Sequence, residues 1–529
     1  MDTRESISNR ITADVLVVGF GPVGKLLSIL LGRKGHTVVV VDKNEAAYPL
    51  PRAVTHCSDF ARILQSIGLS PDTIPEITVP YDDMYSWRNG DGDTLVEVDW
   101  SGTGESGWYN TYFFHQPALE DALDSIVASL DTVQVMRGWE AVSSTQTRRD
   151  VTVGLESSSG PGEVTVIADW VVGADGANST IRSLTGIEWH DDGYFFDWLV
   201  VDVVLHENMH FPHIASQNCD VRRPSTMVPG GPGRRRWEFM RLPTETKDEL
   251  NATDKAWELL QPYGISKENA DLERHSVYTF QSSWAQEWRR GRVFLAGDAA
   301  HLMPPFAGQG LGAGVRDAMN LSWKLDAVLR GVTDDRLLDT YGTERLHHAV
   351  AFVKFSTSLG EVICITDHDE AARRDRRMID EWKEGKAPPT PPRPGLGKGV
   401  HTGEAGGSLS RQGNVRVGGK VARFDDAFGG AGAVITRSPS AFQSIDAGVR
   451  AALDDLGIRM VDLSSTDERA HAAEDVDGTY GRWFDELGVD TVLVRPDFHL
   501  YGASSGHDTA DLIEGFLIRV RCHGSALTS

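Results

Sequence analysis

The sequence predicts an α/β protein of several domains, and three observations carry that expectation. A short apolar run, Val15–Val18, leads through Gly19-Phe20-Gly21-Pro22-Val23-Gly24 into a helix-like segment and a second apolar run, Thr37–Val41. Two further strand-like runs end in glycines and an acid, at Gly173-Ala174-Asp175-Gly176 and at Gly297-Asp298. The chain has 529 residues, room for about three or four domains of ~100–200 residues each.

Each element follows from a local signal. Strand, glycine turn, helix (Lys25 to Gly35) and strand make a βαβ unit, whose two strands must be parallel. Residues Tyr81–Phe114 hold nine aromatics in 34 positions, against 8% for the chain, which predicts a core or the lining of a flat, apolar ligand's pocket. Leu119–Leu130 reads as a helix, and Val151–Ile167 as a hairpin around Ser157–Gly162. Residues 187–290 mix strand-like runs, such as Trp198–Leu205 and Arg236–Leu242, with Pro/Gly turns, as an inserted β-rich domain would. Arg292–Leu295 is a buried strand, and Val315 to Arg377 is largely helical. Lys386–Lys398 is a Pro-rich linker. Beyond it lies a C-terminal domain, 399–529, with β-like runs at Val434–Thr436, Ile458–Val461, Thr491–Val494 and Phe516–Val520. The expected division is therefore 1–80, 111–186 and 291–385 for a discontinuous first domain, and 81–110 with 187–290 for the inserted one.

Composition narrows the function. Lys+Arg is 52 and Asp+Glu 76, a net charge of −24. That field repels nucleic-acid backbones and anionic lipid, so no nucleic acid and no membrane is expected as partner. The four cysteines, Cys57, Cys219, Cys364 and Cys522, are far apart and give no disulfide framework, zinc ribbon or dithiol. No metal-ligand spacing is present. The polar start, Met1 to Arg10, predicts no secretion signal and a cytoplasmic location.

The first turn has a legible chemistry. Gly19 permits the tight turn, Gly21 lets a pyrophosphate approach the backbone, and Gly24 lets helix and strand pack closely. The helix N-terminus offers N–H groups to the phosphates. Asp42, at the end of the next strand, can accept from ribose hydroxyls, which favours FAD or NAD over a 2′-phosphorylated cofactor. A carboxylate at Asp298 suits a ribityl chain. The glycine-rich segment Pro304–Gly314 can present N–H groups to negative charge on a reduced flavin. These two features favour FAD.

The three motifs, in this order and spacing, resemble the class A flavin-dependent monooxygenases, the p-hydroxybenzoate hydroxylase superfamily, over roughly residues 11–380. Phe114–Glu120, Arg223–Thr226 and Arg236–Met240 are similar to the 3-(3-hydroxyphenyl)propionate hydroxylase type. Arg423-Phe424-Asp425-Asp426 resembles the start of the thioredoxin-like domain of the phenol hydroxylase branch, here lacking the C-x-x-C pair. The implied fold is a Rossmann-like FAD-binding domain of the p-hydroxybenzoate hydroxylase type, an inserted β-rich substrate domain and a C-terminal thioredoxin-like domain. The last implies a structural role or a homodimer.

The resemblance implies FAD pyrophosphate at Gly19, Gly21 and Gly24, and adenosine ribose at Asp42. It puts Arg52 toward the adenosine and phosphate part, and Gln116 beside the ribityl chain. It gives Asp175 to FAD and nicotinamide cofactor, Asp298 to the ribityl-phosphate part, and Pro305, Gly308 and Gly310 to the isoalloxazine. Gly312 departs from the asparagine many relatives carry there. Simpler readings stand beside these: a surface arginine at Arg52, a helix-start residue at Gln116, an ion pair on its own helix for Arg182, a packed histidine at His301, and a solvated face at His347-His348.

The implied reaction uses NADH or NADPH to reduce FAD. Oxygen then gives a C4a-hydroperoxyflavin, whose distal oxygen attacks a phenolic or other aromatic ring, ortho to a hydroxyl. Phe195, Phe196, Trp198 and Phe211, with the aromatics of 81–114, are candidate walls of a dry pocket. His213, Tyr85 and Asp197 are candidates for the base that activates the phenol. The competing functions are a monooxygenase on the same frame performing epoxidation, Baeyer–Villiger oxidation or polyketide tailoring, and a non-catalytic flavin-binding regulator.

Overall fold

The computed structural model describes residues 10–206, 211–464 and 472–521; Cys522 lies outside them. The buried run Val15–Val18 ends the strand Arg10–Val18, which lies between Val38–Asp42 and Glu163–Gly173, parallel to both. Val293–Leu295 extends the sheet on one side and Val133–Arg137 on the other. The chain reverses its winding at this central strand, so Val18, Asp42 and Gly173 end on one crevice, where α/β sheets bind ligands. The helix Pro22–Gly32 starts with proline at its first position and packs against the long helix Gly310–Leu329. The hairpin around residues 157–162 forms as expected, Val151–Ser157 pairing antiparallel with Glu163–Gly173.

A second eight-stranded sheet takes five strands from residues 189–285, with Met84–Asn89 and Thr94–Asp99 at one edge and His301–Leu302 at the other. Its long strands Trp189–Leu205 and Ala270–Ala285 pair antiparallel. Alternation sorts its side chains. Leu199, Val201, Val203, Trp237 and Phe239 pack outward with Leu260 of the helix Thr253–Leu260. Trp198, Ala215, Cys219 and Phe280 face inward, toward Phe306 and Leu359.

The C-terminal unit holds a four-stranded sheet in the order Arg459–Asp462, Ala433–Thr436, Thr491–Val494, Leu500–Ser504. The first pair is parallel, bridged by the helix Ala447–Asp455; the others are antiparallel. Phe516–Val520, expected as a strand, belongs instead to the helix Thr509–Arg521. Its buried residues Leu512, Ile513, Phe516, Leu517 and Val520 follow a helical stripe, and that period overrides the β-like run. Arg62 clamps this unit to the first domain through both nitrogens on Asp425 and the Ser410 carbonyl. Among the described residues no single helix is long and apolar enough to cross a membrane.

Candidate active site

Three connected cavities run through the molecule. The first, about 320 Å³, spreads from Val18 and Asp42 across Gly19–Pro22 to Asp175–Asn178. The second, about 630 Å³, shares Gly21, Arg52, Gln116 and Gly176 with it and runs on to the inner face of the inserted sheet. The third, about 960 Å³, meets the second at Thr55, Tyr85, Trp100, Phe306 and Gly308, and reaches the Pro-rich linker at Pro389–Pro394.

The glycine turn is dictated by space. Gly19 has φ +105°, and a Cβ there would lie 2.2 Å from the Ala174 carbonyl oxygen; at Gly24 it would lie 2.0 Å from the Gly19 carbonyl oxygen. At Gly21 nothing stands within 4 Å, and the open space is cavity. Asp42 Oδ2 accepts from the Phe20 N–H at 2.8 Å, and its Oδ1 accepts from the Asn44 backbone N–H, also at 2.8 Å. It thereby ties the turn to the second strand while bordering the first cavity. This channel, narrow and glycine-floored at one end and broad at the other, fits a dinucleotide with a flat ring.

Gln116 is buried, and its Oε1 accepts from the N–H groups of Arg52 and Ala53 at 3.2 and 2.7 Å. Its amide donates to Glu120 at 2.8 Å, and Glu120 pairs with the fully buried Lys25 at 2.9 Å. It is more than a helix-start residue: it fixes the segment that borders two cavities. Arg52 is exposed at their mouth, its guanidinium 4.5 Å from the Tyr48 ring centre. Asp298 also projects exposed into the second cavity, beside Pro305, Gly308 and Gly310.

The polar residues flanking the channel have protein partners of their own. Asp175 accepts from the Ser179 hydroxyl at 2.5 Å and the Ile181 N–H at 3.1 Å, so its carboxylate is engaged at the start of the helix Thr180–Thr185. Arg182 bonds the carbonyls of Ala299 and Ala177 rather than an acid on its helix. His301 is a packed histidine: it stacks on Trp288, and Nε2 lies 2.8 Å from Asp317. His348 is buried beside Arg345, not solvated. At Gly312 a Cβ would lie 3.4 Å from the Arg316 guanidinium and 3.6 Å from Cys57 Sγ, in ordinary contact with both.

The base candidates separate. Tyr85 is buried, borders both larger cavities, stacks on Trp100 with ring centres 4.3 Å apart and donates to Gln217 at 3.2 Å. Burial pushes its hydroxyl well above the usual phenol range, and that hydroxyl is donated to Gln217. Asp197 is spent on Arg241, Lys247 and Thr279. Strand alternation explains this: Trp198, Val200 and Asp202 face inward, so Asp197 faces out. His213 is exposed and borders none of the three cavities. Phe195 is 50% exposed and Phe211 packs on Trp237 at the outer face, so neither walls the pocket. Phe280 and Phe306 do, with Trp198 behind them.

Sequence reasoning missed the polar inner face: Gln217, Thr226, Arg236, Glu238 and Arg274 all border the second cavity. Arg236 pairs with Asp202 through Nε and Nη2 at 2.7 and 2.8 Å and donates to the carbonyls of Pro51 and Arg52, linking the sheet to the segment that Gln116 holds. The signal available was the alternation of Arg236 and Glu238 along one strand.

Comparison with known proteins agrees with this geometry. The FAD binding domain family matches residues 12–356, and the HcaD C-terminal domain family residues 407–518. The chain is 36% identical over 507 residues to a probable NADH-specific resorcinol 4-hydroxylase of Rhodococcus jostii (strain RHA1), covering 96% of this chain and 94% of that protein. It is 36% identical over 363 residues to a 3-(3-hydroxy-phenyl)propionate/3-hydroxycinnamic acid hydroxylase of Mycolicibacterium smegmatis, covering 69% of this chain and 63% of that one. Its fold is similar to that of the flavin-dependent monooxygenase PieE (TM-score 0.81, 20% identity, 96% of this chain and 99% of that one). It is also similar to aklavinone-11 hydroxylase (TM-score 0.76, 23% identity, 96% and 98%).

Proposed function

The chain belongs to the FAD-binding-domain family of flavin-dependent aromatic hydroxylases, of the resorcinol and 3-hydroxyphenylpropionate hydroxylase branch, and from that premise we propose its substrate class and the residues that serve it. The enzyme is an FAD-dependent aromatic hydroxylase that consumes NAD(P)H and O2. Its substrate is a small phenol of the resorcinol type, hydroxylated ortho to a hydroxyl group, and its reductant is NADH. The relative named for those two compounds, matching 96% of the chain, supports both choices.

One observation carries the site assignment: the second cavity is continuous from Gly21 to the inner face of the inserted sheet, so one channel serves cofactor and substrate. FAD, when bound, takes hydride from the nicotinamide and activates O2. The protein's residues do the rest. Gly19, Gly21 and Gly24 admit the pyrophosphate, Asp42 the ribose, and Asp298 the ribityl part. Gln116 and Arg236 hold the 51–53 backbone against the cofactor. Asp175 acts indirectly, by fixing the turn beside the channel. Pro305, Gly308 and Gly310 floor the ring site, where the N-terminus of the helix Gly310–Leu329 offers N–H groups to negative charge. Tyr85 and Trp100 give a stacked wall, and Phe280 and Phe306 exclude water.

The C-terminal unit is a thioredoxin-like domain with a structural role. The parallel βαβ pair followed by an antiparallel hairpin and a closing helix supports that reading. Cys522 is its only cysteine, so it has no dithiol.

The experiment is a phenol panel on the FAD-loaded enzyme, following NADH and NADPH consumption together with product mass. Resorcinol should stimulate NADH oxidation and yield a product one oxygen atom heavier. No stimulation by any phenol would sink the substrate assignment.

A further inference from the structure

The inner face of the inserted sheet carries two polar rows. Cross-strand pairing sets Gln217, Thr226, Glu238 and Val200 side by side across four strands, and all four border the second cavity. The next row holds Val228, Arg236, Asp202 and Arg274. Most of these groups answer one another. Gln217 Oε1 accepts from Thr226 at 2.7 Å and from Tyr85 at 3.2 Å, and Arg236 is held by Asp202. Glu238 is the exception among the carboxylates. It is 7% exposed, no described residue donates a hydrogen bond to its carboxylate, and its one ion-pair contact, Arg236 Nη1, is 3.8 Å away. A buried carboxylate without donors is costly, and this one looks into a cavity walled by aromatic rings.

We propose that Glu238 accepts the proton of the substrate's phenolic hydroxyl, an inference that rests on reading the second cavity as the substrate site. As the O–H bond breaks, its electron pair stays on the phenolic oxygen and raises the density at the ortho ring carbon. That carbon takes up, as OH, the electrophilic oxygen drawn from O2 in the established reaction; NADH is oxidised and the other oxygen atom leaves as water. The ring hydrogen at that carbon departs as a proton. Glu238 returns its own proton to the first oxygen, and the product carries hydroxyls on two adjacent ring carbons, a triol when the substrate is resorcinol. Burial raises the Glu238 pKa above the ordinary carboxylate range, which suits a group that both takes and returns a proton. The charged and titratable groups facing it are Arg236 on its own strand, Asp202 and Arg274 on the strands beyond, and Tyr85 across the cavity.

The test is Glu238→Gln in the FAD-loaded enzyme, with FAD content and flavin spectrum as the check on folding. With resorcinol, product formed per NADH should fall about 10²-fold, the size a positioned proton acceptor contributes, and hydrogen peroxide should take its place. Fluorinated phenols, whose hydroxyl is more acidic, should recover much of the loss, as should a pH above the substrate's own pKa. Glu238→Asp, which keeps the carboxylate, should stay closer to wild type and serves as the reporter if the glutamine variant fails to hold FAD. Wild-type coupling in Glu238→Gln would overturn the proposal. So would an equal loss for acidic and ordinary phenols at every pH, which is a packing defect. A wild-type enzyme that no phenol stimulates would remove the substrate-site reading itself, and the proposal with it.

Discussion

Two buried clusters of charge differ in one respect. At the junction of the long helices with the C-terminal unit, Glu344 accepts from Arg495 through both nitrogens at 2.8 Å, from Lys324 at 2.6 Å, from Asn320 at 2.8 Å and from the Val400 N–H at 2.6 Å. Asp497 takes the remaining Arg495 and Asn320 donors. Burial works to raise the Glu344 pKa, but Arg495 and Lys324 outweigh it and hold the carboxyl far below its usual range. On the inner face of the inserted sheet, by contrast, Glu238 has no donor, and Arg274 Nε and Nη1 make no hydrogen bond, Nη1 lying 3.9 Å from Asp202. A buried charge is costly unless answered. The first cluster is answered within the protein and holds domains together. The second adjoins a cavity, and its missing partners are those a ligand would bring.

That contrast can be broken by substitution, and the largest effect belongs to the answered cluster. Glu344→Ala leaves Lys324 buried without its carboxylate and Arg495 with Asp497 alone, and should cost about 3–5 kcal/mol in urea unfolding. An unchanged midpoint would erase the distinction.

The next effect comes from a buried group that is answered while neutral. His56 bonds Thr78 Oγ1 at 3.0 Å, and burial lowers its pKa from 6.5 to about 4. The unfolded chain therefore takes the proton first. Stability is fully present above pH 6.5 and falls toward pH 4, by up to about 3 kcal/mol. His56→Gln should flatten that window in denaturant titrations run across pH.

Gln116 lies between the extremes, answered on one side and facing the channel on the other. Gln116→Leu frees the Arg52 and Ala53 N–H groups and should loosen FAD about ten-fold, near 1.4 kcal/mol, in a flavin fluorescence titration.

The smallest effect is the sharpest test of the comparison. Glu238→Gln should shift urea unfolding by less than about 1 kcal/mol, because it removes a buried charge that no protein donor stabilises. A loss as large as that of Glu344→Ala would make Glu238 structural.

The glycine turn and the acids near it were readable because each rests on neighbours in the chain. Gly19, Gly21 and Gly24 lie within one turn, Asp42 ends the next strand, and Asp298 lies between the strand Val293–Leu295 and the glycine-rich segment 304–314. The base candidates were read by location in the inserted domain, and location does not fix direction: Asp197 lies one residue before inward-facing Trp198 and so points out. Phe516–Val520 failed for a related reason, since a five-residue apolar run fits either period until its burial is known.

The sequence by itself therefore determined the α/β class and the glycine turn, because both rest on short-range sterics and periodicity. Only the tertiary structure decided which polar side chains meet. Gln217, Thr226, Glu238 and Val200 come from four strands, and their alignment depends on register between segments far apart in the chain. A one-residue slip in any of those pairings would turn its side chains to the opposite face.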